Sequence, residues 1–72
     1  EPRHRGMRGL ILAWLDHHGP ATRDEVAEAF GKHVHQISGR FTELLKLGEI
    51  EETDQKRTTR SGHPAVVVRV KA

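Results

Sequence analysis

The first run of apolar residues in the chain has helical spacing. Its members follow the order i, i+3, i+4, i+7 and i+8, which places them on one face of an amphipathic helix. They are Met7, Leu10, Ile11, Trp14 and Leu15. Gly19-Pro20 is a typical helix terminator. The pattern predicts a first helix over residues 5–18, with residues 1–5 as a flexible basic arm.

A capping-box sequence introduces a second, shorter helix. Thr22-Arg23-Asp24-Glu25 matches S/T-x-x-E, in which the Thr hydroxyl and the Glu carboxylate each accept from a free backbone N–H. We predict a helix over residues 22–30, with Ala21 pairing as a very short strand before it. The expected buried positions are Val26, Ala27, Ala29 and Phe30.

A third helix is predicted over residues 34–47, after a short turn that begins at Gly31. Its apolar positions again have helical spacing, and Gly48 ends the helix. They are Ile37, Phe41, Leu44 and Leu45, with Val34 extending the stripe by one turn.

Beyond Gly48 the helical period disappears. The β-branched segment Ala65–Val70 is typical of a strand, and turn-forming residues separate it from Ile50–Lys56. An antiparallel hairpin over residues 50–72, centred near Ser61, would pair Ile50–Lys56 with Val66–Ala72. The order of elements predicts an α+β fold, a three-helix winged helix-turn-helix with a C-terminal β-hairpin wing, as a single domain over residues 1–72.

The amino-acid composition limits the classes of function that the chain can have. The chain has 72 residues, 35% hydrophobic and 31% charged, which suits one small core better than a cleft enzyme. It has no cysteine, and we expect no catalytic residues, cofactor or metal. The net charge is +2, but residues 11–55 carry −5 and residues 56–72 carry +5. A basic tail of this kind suggests an acidic partner.

The last two elements resemble the winged helix-turn-helix family, particularly small bacterial and phage regulators. The matching residues form two runs, Val34-x-x-Ile37-Ser38-Gly39-Arg40-Phe41-x-Glu43-Leu44-x-x-x-Gly48-x-Ile50 and Lys56-Arg57-x-Thr59-Arg60-Ser61-Gly62-x-Pro64-Ala65-x-Val67. The resemblance covers about residues 6–71. It implies that the third helix lies in the major groove of duplex DNA and that the hairpin wing contacts the backbone or the minor groove.

The outward face of the third helix supplies candidates for reading bases. With the apolar stripe inward, the outward residues are His35, Gln36, Gly39, Arg40 and Glu43, with Ser38 and Thr42 on the flank. Gln can bond adenine and Arg guanine, each through two hydrogen bonds. Ordinary solvated helix surface remains an alternative for Gln36 and Arg40. Gly39 favours either close approach of DNA or close packing of another helix. Glu43 is expected to orient Arg40 or Lys46.

The wing supplies cations and hydroxyls for phosphate contacts. The candidates in the wing are Lys56, Arg57, Thr59, Arg60, Ser61 and His63. Lys32 and His33, in the turn before the third helix, are further candidates. Arg60 is long enough to enter a minor groove. The alternative is a charged hairpin whose only role is to prevent pairing of exposed strands.

The sequence gives weaker support to a metal site or to stacking on single-stranded bases. Six histidines suggest a metal site, but no cysteine and no i, i+4 His pair occurs. Trp14 and Phe41 could stack on single-stranded bases, although both lie on apolar stripes that predict core packing. We therefore expect duplex DNA as the partner, no membrane association, and a cytoplasmic, nucleoid-associated protein. The alternative is a winged-helix module that binds protein. The chain does not begin with Met, which suggests an excised domain, so a homodimer and a removed partner domain both stay open.

Overall fold

A computed structural model describes residues 6–71 of the chain. It has three helices followed by a two-stranded antiparallel hairpin, an α+β fold consistent with a winged helix. The elements are α1 (Gly6–His18), α2 (Arg23–Ala29), α3 (Val34–Lys46), β1 (Ile50–Thr58) and β2 (Pro64–Val70). The helix bounds agree with the sequence prediction to within one residue at each end. The predicted basic arm, residues 1–5, lies outside the described residues.

The start of α2 has the predicted cap. Thr22 Oγ1 accepts from the Glu25 N–H at 3.1 Å, and Glu25 Oε1 accepts from the Thr22 N–H at 2.8 Å. Ala21 pairs with Val68 as an isolated antiparallel bridge, also as predicted, through hydrogen bonds of 2.8 and 2.9 Å. This bridge fixes the N-terminus of α2 beside β2, which brings the acidic first turn of α2 close to the wing.

The hairpin register runs from Ile50 opposite Val70 to Thr58 opposite Pro64. A bulge interrupts the ladder between Glu52 and Lys56, where three β1 residues face one residue of β2. Thr53 stabilises this bulge by donating its hydroxyl to the Val67 carbonyl at 2.8 Å. The predicted centre of the hairpin near Ser61 is confirmed, while both strands reach two residues closer to the tip than expected.

One hydrophobic core lies between the three helices and the base of the hairpin. Its fully buried side chains come from every element, and they include Ile11, Leu15, Val26, Ile37, Phe41, Leu44, Ile50 and Val68. Trp14 is only partly buried, against the edge of this core, and its ring stacks on His18 at 4.2 Å. Core packing of Phe41 is confirmed, as is the inward orientation of Ile37 and Leu44, with Leu45 partly buried against the core.

Three apolar residues expected in the core lie outside it. Leu10 is 53% exposed, because one helical step of about 100° moves it from the line of Ile11 to the edge of the helix. Ala29 is exposed because it lies almost opposite Ala27 on a helix of only seven residues. Val34 is 39% exposed because it begins α3, beyond the reach of α1. No helix within residues 6–71 is long and apolar enough to cross a membrane.

Candidate nucleic-acid interface

The start of α3 and the tip of the wing lie close together. His35, Gln36, Gly39 and Arg40 are all exposed on α3. An open cleft of about 420 Å³ runs beside the start of this helix. Val34 from α3, Asp24 from α2, and Thr59, Ser61 and His63 from the wing line it. The structure therefore brings the wing tip to the first residue of α3, whereas the lining of the cleft does not include His35, Gln36, Gly39 or Arg40.

Three candidate side chains of α3 have structural partners. Gln36 Oε1 accepts from the His33 N–H at 2.7 Å and so caps the start of the helix. Its amide N–H donors remain open, but the two-bond pairing expected with adenine needs that oxygen as well. Ser38 Oγ accepts from Arg23 at 2.8 Å, and the Thr42 hydroxyl donates to the Ser38 carbonyl at 3.1 Å. The main candidates left for base contacts on this helix are therefore His35 and Arg40.

Arg40 is held by a carboxylate on its own helix. Its Nη1 donates to Glu43 Oε1 at 2.8 Å, and Arg8 from α1 lies 3.8 Å from the same oxygen. The hydrogen bond from Arg40 lowers the pKa of the Glu43 carboxyl below its usual value, and the charge of Arg8 adds to that effect. The prediction that Glu43 orients Arg40 is confirmed. The Arg40 side chain is 52% exposed, so its remaining donors can reach a ligand.

Gly39 faces open space. A Cβ added at this position would have no heavy atom within 4 Å among the described residues, leaving aside its own helix backbone. The alternative of close packing against another helix is therefore wrong. Gly39 therefore lies in the interior of α3 on its exposed face, where glycine costs roughly 1 kcal/mol of helix stability relative to alanine.

Replacing Gly39 with alanine should stabilise the fold. We expect the free energy of unfolding to rise by about 0.8–1 kcal/mol, because alanine has the higher helix propensity and meets no steric obstacle here. Denaturant unfolding followed by circular dichroism measures this change. Gly62→Ala is the contrasting variant, since Gly62 has a φ of 85° that alanine tolerates poorly, and it should destabilise. A loss of stability in Gly39→Ala would contradict the placement of Gly39.

The wing tip is a tight, hydroxyl-rich turn. The Thr59 N–H donates to the His63 carbonyl at 2.8 Å, and the Gly62 N–H donates to the Thr59 carbonyl at 2.9 Å. The hydroxyls of Thr59 and Ser61 lie 2.9 Å apart, and Ser61 Oγ lies 3.2 Å from His63 Nδ1. These hydrogen bonds order three candidate side chains at the end of the wing.

The two wing arginines fold back onto the start of α2. Arg60 donates from Nε and Nη2 to the two carboxylate oxygens of Asp24, at 3.0 and 2.9 Å. Arg57 Nη1 donates to both oxygens of Glu25, at 2.8 and 3.1 Å. The hydrogen bond from Arg60 lowers the pKa of the Asp24 carboxyl, and the same contact raises the pKa of Arg60. We call these four side chains the α2–wing clasp.

The clasp pairs two wing cations that the sequence offered for phosphate contacts with carboxylates of the same chain. Sequence reasoning assigned Asp24 and Glu25 to helix capping and missed their second role. The partners are 36 and 32 residues apart, so no local spacing pattern reveals them. The available signal was the charge segregation, because an acidic middle segment can pair with a basic tail of the same chain as well as with a separate partner.

The remaining candidates differ in position. Among residues 6–71, Lys32 and Lys56 form no ion pair. Strand alternation places Lys56 on the opposite face of the hairpin from Arg57, away from α2. His33 and His35 stack at the start of α3 with ring centroids 5.6 Å apart. Within the described part of the chain, no group of three or more His, Cys, Asp or Glu residues could hold a metal ion.

Comparison with known proteins adds no assignment to this site. No protein-family model matches the chain. No curated protein matches it at a significant level. The case for its function therefore rests on the residues and their geometry.

Proposed function

We propose that this protein binds duplex DNA, with α3 in the major groove and the wing against the backbone or the minor groove. The observation that carries the proposal is the convergence of the exposed start of α3 and the wing tip on one cleft. A groove-reading helix uses its N-terminal turns to contact bases, and a neighbouring hairpin can follow the adjacent phosphates. Transcriptional or phage regulation in the cytoplasm, near the nucleoid, is the setting that fits such a domain.

The shape and surface chemistry of α3 support this proposal. The exposed face carries Arg40 and His35 around Gly39, where the missing Cβ allows a DNA backbone or base edge to come close. Within the described residues, the large hydrophobic side chains that are exposed are Leu10, Val34 and Leu47. Of these three, only Val34 borders the cleft, where Pro64, Ala65, Val66 and Val68 of β2 also form part of the lining.

Arg40 and the wing should contribute differently to binding. Arg40 lies in the second turn of α3, and Glu43 restricts its orientation, so it is suited to one base edge. We expect Arg40→Ala to weaken binding to a selected duplex by about 1–3 kcal/mol and to a scrambled duplex much less. Competition binding measures this difference, with the preferred duplex first obtained by selection from random sequence.

Wing variants provide the matched control for Arg40. Arg57→Ala and Arg60→Ala should weaken both duplexes by similar factors, because a phosphate contact carries no base information. If Arg40→Ala weakens binding to the two duplexes by the same factor, Arg40 contacts a phosphate. His35 is then the remaining candidate for reading bases. Failure of the parent protein to bind any duplex at low salt would reject the DNA proposal.

A further inference from the structure

The α2–wing clasp has the geometry of an internal substitute for phosphate. Asp24 receives two hydrogen bonds from the Nε and Nη2 edge of Arg60, the same two-pronged arrangement with which arginine holds a phosphate group. Arg57 Nη1 donates to both carboxylate oxygens of Glu25. The clasp thus occupies the Nε and Nη2 edge of Arg60 and the Nη1 group of Arg57, donors that the wing would otherwise offer to a nucleic-acid backbone.

The clasp is also open to exchange. The side chains of Arg60 and Arg57 are 52% and 47% exposed, so a competing anion can reach them from solvent. Exposed ion pairs contribute little free energy because water and salt screen them. Glu28 lies 4.0 Å from Arg60 Nε, too far for a hydrogen bond, and serves as a nearby charge rather than a partner.

We propose that Asp24 and Glu25 restrain DNA binding by holding Arg60 and Arg57 on the protein, so that DNA binds by exchanging phosphates for these carboxylates. This inference rests on the proposed function and concerns the regulation of the same surface. The free protein keeps its wing arginines neutralised, and DNA binding must first break the clasp. Any change that removes Asp24's charge therefore favours the DNA-bound state.

A double-mutant cycle between Asp24 and Arg60 tests the exchange. The proteins are the parent, Asp24→Asn, Arg60→Ala and the double variant, and the probe is one short duplex of mixed sequence at low salt. Glu25 is not used, because it also accepts from the Thr22 N–H and caps α2. Asp24→Asn should tighten binding, and Arg60→Ala should cost about two- to fivefold more affinity in the Asp24→Asn protein than in the parent.

The sign of the coupling decides the inference. If the carboxylate instead positions Arg60 for DNA, Arg60→Ala costs more in the parent than in Asp24→Asn, and the proposal is overturned. Equal costs mean that the two charges act independently, which also overturns it. Glu28→Gln is the matched control for removing one negative charge from the same helix, and its cycle with Arg60→Ala should show a clearly smaller coupling, because Glu28 makes no hydrogen bond to Arg60.

A second measurement on the free protein separates the two proposals. Backbone amide relaxation at residues 59–63 should show a more mobile wing tip in Asp24→Asn than in the parent, while Glu28→Gln leaves the tip unchanged. An equally rigid tip in Asp24→Asn overturns the clasp even where DNA binding stands. If the tip loosens but no protein of the cycle binds duplex DNA, the proposed function fails and the restraint on DNA binding fails with it.

Discussion

Replacing Phe41 with alanine is expected to unfold the domain or to leave it close to its unfolding midpoint. Phe41 is completely buried among side chains of all three helices and the base of the hairpin. Its ring also lies under the Arg23 guanidinium at 5.4 Å, and Arg23 links α2 to Ser38 of α3. Such a truncation costs about 3–5 kcal/mol. A domain of this size has a total stability of about 5 kcal/mol.

Thermal and denaturant unfolding measure this loss directly. Leu47→Ala is the control, because Leu47 is large and apolar but 56% exposed, and its truncation should change stability by no more than about 0.5 kcal/mol. A Phe41→Ala protein that melts within a few degrees of the parent would mean that the ring is not in the core, and the rotational phase of α3 would then be incorrect.

The fold was largely predictable because its local signals agree with one another. The capping box at Thr22, the glycine at position 48 and the shift from helical to alternating pattern each mark a boundary that the structure confirms. The spacing of apolar residues predicted burial less reliably for residues at the edges of the buried helix faces. Leu10 fits the helical spacing, yet it is exposed. The width of the buried face of a helix depends on the elements that pack against it, and the spacing of apolar residues alone does not give it.

The candidate interface was only partly predictable. Exposure of His35 and Arg40 follows from the phase of α3, because a known inward face fixes the outward one. The hydrogen bond of Gln36 to the His33 N–H was missed, although it occupies the same N3 position as Glu25 in α2. The bonds from Arg23 to Ser38 and from Arg60 to Asp24 join distant segments, so they depend on the tertiary arrangement.

Binding to duplex DNA should weaken steeply with salt. The candidate phosphate contacts are Lys32, Lys56, Arg57, Arg60 and some of Arg3, Arg5 and Arg8, of which Arg3 and Arg5 lie outside the described residues. Neutralising about four to six phosphates gives a slope of roughly −4 to −5 for log affinity against log salt. Between about 50 mM and about 200 mM salt, that slope corresponds to a loss of roughly 250- to 1,000-fold.

The salt slope separates the two classes of function because counterion release requires a polyanion. Anisotropy titrations at several salt concentrations give the slope, which Arg60→Ala should make shallower by about one unit. Lys71→Ala is the control: Lys71 is an exposed cation after the end of β2 and outside the candidate surface, so its removal should leave the slope unchanged. A flat affinity over this range would exclude phosphate contacts as the basis of binding and favour the alternative of a winged-helix module that binds protein. In that case the arginines of the clasp serve only to join the wing to α2.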